Sequence, residues 1–591
     1  VYVVATAGHV DHGKSTLVDA LTGMQSDRLE EERRRGLSIE LGFVWTHLGD
    51  VGEVAFVDVP GHERFITTML AGVGPVPAVL FVVAADDPWM PQAAEHLAAL
   101  DALGVRHALV AVTRCDLADP AGAVSRASAE VERTSMRGAP VVAVSARTGA
   151  GLDQLRSQLT AMVGALPQPD PDAGVRFWVD RRFTVRGAGT VVTGTLPAGR
   201  VARGDELELG GVRLRVRGVQ SLGQPVEAAT GVSRVALNLA GDEVAQVDRG
   251  SVLVTPDAYH HTKVLDVRLT GGHQREDRLP GHLQLHVGAT DVQAQVRPLA
   301  ADLDPDLVRL SLERPLPLRV GDRALLRDPG SRTVWGVHVL DPAPPPLGRR
   351  GAGRARARQL ADVTGVPDVV SEIARRGLVD DRTLRRIGVP VDGPPSGAVR
   401  AGGWWLSAER AERAARETAR MVAEHDAAQP LDPGLPLTVL ADRLGLPSAE
   451  LVSAVVAAPL RVAGGRVRAQ APAASLPPEV ERAVTALEQE LAVSPFAAPT
   501  AERLAELGLD VRRVAVAAKA GRLLRVAPGI LLLPGAEQQA VDLLSGLPQP
   551  FTTSQARQRL ATTRRVALPL LDALDRRGLT RRLPDDRREL C

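Results

Sequence analysis

The sequence predicts a multidomain chain in three parts: a doubly wound α/β domain, two β-barrels, and a C-terminal array of small helical modules. Three observations predict it. Buried-strand runs alternate with helical patterns over 1–165. Short alternating strands broken by Gly turns fill 175–343. A helix–turn–helix pattern then recurs to the end. At 591 residues the chain is too long for one hydrophobic core. Its 45% apolar and 24% charged residues are those of an ordinary globular protein, which excludes a disordered or fibrous chain. The net charge of +1 implies no partner by itself. Cys115 and Cys591 are the only cysteines, so neither a disulfide framework nor a zinc knuckle is available. The apolar run "AVLFVVAA" (78–85) is strand-length, far short of a membrane span. Nothing ahead of Tyr2 reads as a signal peptide, and the expectation is a cytoplasmic monomer with no membrane partner.

The first unit carries the most specific signal. "YVVATA" (2–7) reads as a buried strand and "STLVDALTG" (15–23) as a helix opened by Ser15. Between them "GHVDHGKST" (8–16) has the G-x-x-x-x-G-K-S spacing of a phosphate-binding loop. Gly8 and Gly13 let the backbone of His9, Val10, Asp11 and His12 turn its N–H groups inward. The helix start at Lys14, Ser15 and Thr16 adds partial positive charge. Lys14 is one of only three lysines among 71 basic residues. A compact ammonium must reach the β- and γ-phosphates there, and a planar guanidinium does not replace it. His9 and His12 either touch the nucleotide or only shape the loop.

Three more strand ends follow in order. "VAFVDVPGHERF" (54–65) ends a strand at Asp58, which can hold Mg²⁺ through water, and Gly61 can sense a γ-phosphate through its N–H. "VRHALVAVTRCD" (105–116) ends in Thr113-Arg114-Cys115-Asp116. A carboxylate there accepts the N1–H and the exocyclic amine of guanine, and adenine offers neither in that arrangement. "VVAVSARTGAG" (141–151) brings Ser145 and Ala146 to the last strand end. Four loops at the carboxyl ends of β/α units describe a nucleotide crevice, and the domain reads as a P-loop GTPase using GTP/GDP and Mg²⁺.

"GHVDHGKST", "RGLSIELG" (35–42) and "DVPGHERF" (58–65) resemble the translational GTPases related to elongation factor Tu. "RGLSIELGF", "TRCDL" and "DRRFTVRGAGTVVTGT" (180–195) narrow the resemblance to the selenocysteine-specific (SelB) group. It is strong through about residue 345 and looser beyond. The resemblance implies that Ser15 and Ser38 ligate Mg²⁺ with Asp58 behind them. It also implies that His62 orients the attacking water, gated by Val10 and Ile39. Asp116 would read guanine, backed by Ser145 and Ala146. Three positions depart from the general pattern: Ser38 stands for Thr, Thr113 for Asn, and Arg114 for a Lys whose stem packs beside the base. A guanidinium could fill that last role by stacking.

The remaining domains follow composition. The GTPase domain is expected over 1–170, ending in the proline-rich "LPQPDPDAG" (166–174). Two β-barrels are expected over 171–256 and 257–343, with the break near "VTPDA" (254–258). In the resembling family, barrels and GTPase domain clamp an aminoacylated tRNA end. A pocket for an anionic selenolate calls for arginine, and Arg181 and Arg234 sit where that lining is expected; the alternative is a pair of surface strand arginines.

After the linker "LDPAPPPLGRRGAGRARAR" (340–358), "LRRIGVP", "LADRLGLP" and "RLAELGLD" recur with their glycines 57 and 63 residues apart. "ARQRLATT" (556–563) resembles them without the Gly. Each precedes a helix or a strand-like stretch, which reads as four winged-helix modules over about 352–408, 409–472, 475–534 and 535–591 of the tail 344–591. Residues 551–591 hold ten Arg against five acids. Arg564 and Arg565 at a helix start, with Arg581 and Arg582 on a wing, are the expected contacts to an mRNA hairpin. DNA is not excluded by charge. The function expected is GTP-dependent delivery of selenocysteyl-tRNA to the ribosome at recoded UGA codons, with the tail on a selenocysteine insertion element. The alternatives are a GTPase subunit of a sulfate-activating enzyme, which usually has Asp where His12 stands, and a nucleotide-gated RNA-binding regulator with little turnover. An initiation-factor gamma subunit is disfavoured by the missing cysteine knuckle.

Overall fold

The computed structural model describes residues 2–25, 41–60, 66–74, 76–187, 189–271, 279–331, 333–391, 393, 397–429, 432–469, 476 and 478–591. Contacts divide the chain into two compact units, Val1–Glu417 with Ala441–Val455, and Thr418–Leu440 with Val456–Cys591.

The first unit opens with a six-stranded sheet ordered β2-β3-β1-β4-β5-β6. Its strands are β1 Tyr2–Gly8, β2 Gly42–Leu48, β3 Gly52–Asp58, β4 Ala78–Ala84, β5 His107–Thr113 and β6 Val141–Ala143. All pair in parallel except β2, which runs antiparallel on β3. Helices α1 Lys14–Thr22, α2 Ile66–Val73, α3 Pro91–Ala102, α4 Ala121–Val131 and α5 Leu152–Gly164 connect them. β1 and β4 are apolar and buried on both faces, with one core on each side of the sheet, as a parallel sheet between helix layers requires. α1 begins one residue earlier than the sequence suggests. Gly13, left-handed at φ 78°, caps it, so Ser15 lies inside the first turn and does not open the helix.

Two barrels follow. In the first, Glu206–Leu209 pairs with both Val252–Val254 and Val212–Ser221, and so closes the ring through Arg176–Val185, Gly189–Leu196 and Ser233–Ala240. The second is a closed six-stranded barrel of His261–Thr270, Asp304–Pro317, Thr290–Ala300, His282–Val287, Arg323–Arg327 and Val334–Asp341. Each has its own apolar core.

Beyond the barrels, short helices alternate with small hairpins. In the second unit Pro478–Val493, Ala501–Glu506 and Val511–Lys519 precede the hairpin Leu524–Ala527/Ile530–Leu532. Ala536–Leu544, Thr553–Arg559 and Arg564–Arg576 then precede Thr580–Arg582/Arg588–Leu590. One apolar cluster from Leu476 to Leu574 runs through both sets. This helix–helix–helix–hairpin order is the winged-helix architecture.

The recurring glycines have a shared cause. Gly388, Gly445 and Gly508 are left-handed (φ 84°, 61° and 66°) where a short helix stops, and Ala561 takes the same conformation (φ 49°) in the last set. After each, the next N–H reaches back five residues: Val389 to Leu384, Leu446 to Ala441, Leu509 to Leu504, Thr562 to Arg557, at 2.8–3.1 Å. That is the helix stop with a left-handed residue just past its end.

Candidate functional site

The phosphate loop is built by close backbone approach. Gly8 ends β1 at φ 136°, and a Cβ there would fall 2.1 Å from the Val82 carbonyl oxygen of β4, so only glycine fits. Asp11 (φ 64°) and Gly13 (φ 78°) turn the loop back toward α1. Lys14 is buried, and its Nζ donates to the carbonyls of His9 at 2.7 Å and Gly8 at 3.2 Å. The ammonium therefore sits inside the curl of the loop, with Ser15 half-buried and Thr16 exposed beside it.

Asp58 ends β3 fully buried. Thr6 of β1 donates to its Oδ1 at 2.8 Å and accepts the Val59 N–H at 3.1 Å, so one hydroxyl fixes the carboxylate and the next backbone turn.

The loops that follow β5 and β6 tie back onto the phosphate loop. Thr113, buried at the end of β5, donates to the His12 carbonyl at 2.7 Å, with the Val83 carbonyl at 3.1 Å. Arg114 is left-handed (φ 57°), and its fork reaches Asp86 at 3.2 Å and the Asp11 carbonyl. Its guanidinium is thus engaged as a clasp on the loop. Asp116 is exposed, and a hydrogen bond from Ser145, with the field of Arg147, holds its carboxyl below the usual range. Ser145 is itself buried and accepts the Thr148 N–H at 3.1 Å, while Ala146 beside it is half-buried. Gly151 closes this loop, since a Cβ there would meet the Ala143 carbonyl oxygen at 2.2 Å.

Histidines shape the loop from beneath. The rings of His9 and His12 meet edge to face at 4.8 Å. His12 is buried 3.6 Å from Asp87, and burial pushes it down to about 4; burial likewise lowers His9. Both are neutral near pH 7, which leaves the positive charge to Lys14. His96 of α3 escaped the sequence reading. Its Nδ1 accepts the Gly8 N–H at 3.1 Å, and burial, reinforced by Lys14, pushes it down to about 3. The only signal in the sequence is a histidine on the apolar face that Ala93, Leu97 and Leu100 define, which reads as core. Ser38, Ile39, Gly61 and His62 lie outside the described residues; Val10 is half-buried in the loop.

In the first barrel Arg181 and Arg234 converge. Arg234 pairs with Asp180, donating to its Oδ1 at 2.7 Å and to Thr193 at 3.0 Å. Its guanidinium lies 3.7 Å from the ring centre of Phe43 on β2, and that of Arg181 lies 5.3 Å from it. Arg181 also donates to the Leu41 carbonyl. Phe43, Asp180 and Thr193 lie within the stretches that carry the resemblance, but the sequence reading gave them no role of their own.

The tail arginines do not converge in this way. Arg564 is exposed at the start of its helix. Arg565 donates to the carbonyls of Ala498 at 2.7 Å and Pro499 at 3.2 Å. Arg581 pairs with Glu589 and Arg582 with Asp586, both at the surface. Arg588, one of the ten that made the tail basic, is buried between Asp572 and Asp575 at 2.7 and 2.8 Å.

Known proteins share this arrangement. A family model described as the elongation factor Tu GTP binding domain matches residues 1–165. One described as the selenocysteine-specific elongation factor beta-barrel domain matches 278–346, and one as the elongation factor SelB winged helix matches 542–588. The selenocysteine-specific elongation factor of Escherichia coli is 40% identical over 383 residues, 62% of this chain and 60% of that protein. Its counterpart in Desulfomicrobium baculatum is 36% identical over 388 residues, 64% of this chain and 61% of that protein. The chain thus spans about six tenths of the length of these curated relatives. The translation initiation factor 2 gamma subunit of Thermococcus kodakarensis is 31% identical over 56% of this chain and 94% of its own length. A crystal structure of bacterial selenocysteine-specific elongation factor EF-Sec aligns over 100% of this chain and 99% of that one, with a TM-score of 0.68 and 25% identity. The three matched family models follow one another along the chain in the order GTPase, barrel and winged helix; the chain belongs to the elongation factor Tu-like translational GTPases, and within them it is similar to the selenocysteine-specific elongation factors.

Proposed function

We propose that this protein delivers selenocysteyl-tRNA to the ribosome at recoded UGA codons in a GTP-dependent step, with its winged-helix tail on an mRNA hairpin. One observation carries the reading: two barrel arginines meet on Phe43, in a strand of the GTPase domain, within a chain that ends in winged helices. Arg181, beside an Arg234 whose charge Asp180 offsets, supplies the positive charge that suits a selenolate, which is anionic at neutral pH where a serine hydroxyl is not, while Phe43 holds both guanidinium groups in place.

Lys14 and the loop N–H groups bind the phosphates, Asp116 reads guanine, and Ser145 and Ala146 support the base. Thr113 and Arg114 hold the base loop and the phosphate loop in register. The hard-oxygen pair of Ser15, in the first turn of α1, and the clamped carboxylate of Asp58 fits Mg²⁺, with Ser38 as a further ligand. Bound there, Mg²⁺ neutralises charge on the phosphate oxygens. His62 orients the attacking water, with Val10 and Ile39 as an apolar gate, and catalysis is positioning with no covalent step on the protein. The test is to capture RNA on the chain loaded with a GTP analogue and on the chain loaded with GDP, and to sequence it. Enrichment of selenocysteine-accepting tRNA in the first state alone is expected; bulk elongator tRNA in both would overturn the reading.

A further inference from the structure

The helix Ala352–Leu360 follows the second barrel, and its two faces differ. The inner face, Arg356, Ala357 and Leu360, is buried. Arg356 donates through Nε to Asp266 at 2.7 Å and through Nη2 to Asp341, both carboxylates wholly buried. Asp266 is shared with Arg309 at 2.7 Å, and Asp341 with Arg375 and Arg376. Gly353 lies so close to the barrel that a Cβ would fall 2.6 Å from the Leu299 carbonyl oxygen. This basic stretch is therefore a fixed surface element and not a loose linker.

On the outer face Arg354 and Arg358, one helical turn apart, are exposed, as are Arg349 and Arg350 in the turn before them. Residues 342–361 contain no acid and no aromatic ring. Arg354 pairs with Asp302. Among the described residues, Arg349, Arg350 and Arg358 make no ion pair, so three outward guanidinium charges stand uncompensated in a chain of net charge +1. Without rings to stack on bases, such a face meets phosphates and carries no sequence information.

We propose that this face grips the sugar–phosphate backbone of the tRNA body, apart from the pocket that holds the aminoacyl end. The proposal rests on the tRNA-carrying function above. The helix belongs to the unit that contains the nucleotide site and both barrels, while the last two helix–hairpin sets belong to the other unit, which favours the cargo RNA over the mRNA hairpin.

The test uses the full chain carrying Arg349→Ala, Arg350→Ala and Arg358→Ala together, which spares buried Arg356 and paired Arg354. Loaded with a GTP analogue, it is titrated over a salt series with selenocysteine-accepting tRNA transcript, polyuridylate and an mRNA hairpin. The log–log salt slope for tRNA should flatten by roughly three units, with affinity down about 10-fold or more at low salt. Three Arg→Lys changes should restore the slope, since charge and not the guanidinium fork is required. GTP affinity and hairpin binding should not move. An unchanged tRNA slope overturns the proposal, as does an equal loss on polyuridylate, which would mark a nonspecific polyanion surface, or a loss confined to the hairpin. A wild-type chain that binds no tRNA in the GTP state overturns the functional reading as well; wild-type binding with an unaffected variant overturns this proposal alone.

Discussion

The phosphate loop and the last winged-helix set are both cationic features beside a helix start, yet they are built differently. At the loop, three side chains close on one backbone stretch, Lys14 from the loop itself and two from the end of β5: Lys14 on two carbonyls, Thr113 on His12, Arg114 on Asp11. In the tail, Arg565 is held by carbonyls of the preceding set and Arg581 and Arg582 by wing acids. The first is a site made of backbone, where one geometry is enforced. The second is a set of exposed side chains whose surface ion pairs contribute little to stability.

If that contrast holds, single changes at the nucleotide site should act steeply. Asp116→Asn should invert base choice, losing GTP and gaining xanthosine triphosphate, a swing on the order of 10⁴ for a site built around a base N–H pair. A competition assay in which the variant still prefers GTP would remove Asp116 from guanine reading. His62→Ala should keep GTP affinity within a few-fold and slow ribosome-stimulated hydrolysis by roughly 10²-fold or more. Single-turnover hydrolysis at the wild-type rate would exclude it from the chemical step.

The same contrast decides what the sequence could reveal. Gly8 was legible because the close approach of two backbones admits one residue type at one spacing, and Lys14 because the motif fixes its place at the start of the helix, where its ammonium lies in the curl of the loop. His96 was not, because its partner Gly8 lies 88 residues away and its surroundings are those of an ordinary core position. Phe43 and Asp180 matter only through the arginines they meet across the fold. The tail's charge count misled in one respect: it cannot separate Arg588, sealed in an ion-pair cluster, from Arg564 at the surface.

Those two arginines sharpen the comparison. Arg588→Met should cost about 2 kcal/mol, less than a wholly buried pair because Asp572 is 56% exposed and can rehydrate. Hydrogen exchange should show it as lost protection at the Phe551 amide, which bonds the Arg588 carbonyl. Arg564→Ala should leave that protection alone and flatten the salt dependence of hairpin binding by about one unit. Equal effects of the two on protection would mean that both arginines are structural.

The smallest expected effect concerns the one repeat without its glycine. Ala561 adopts the left-handed conformation that Gly388, Gly445 and Gly508 adopt in the other sets, with the same pair of backbone hydrogen bonds closing the helix. An L-residue there carries about 1–2 kcal/mol of steric cost. Glycine removes it but gives back roughly 0.4–1 kcal/mol through the freer unfolded chain. Ala561 is exposed, so its methyl contributes little packing. Ala561→Gly should therefore stabilise the helix stop by about 0.5–1 kcal/mol, and Gly508→Ala should destabilise its own by a similar amount. At Gly508 the nearest neighbour of an added Cβ is the side-chain end of Arg513 at 3.3 Å, which donates to the Gly508 carbonyl at 2.8 Å and can give by a few tenths of an ångström, so strain in φ and not a clash sets the sign. Native-state hydrogen exchange on the full chain reads both at the amides that close each stop, Thr562 and Leu509. Exchange should slow about two- to fivefold at Thr562 in the first variant and quicken at Leu509 in the second. If both substitutions moved protection in the same direction, the shared left-handed stop would not be what the four sets have in common.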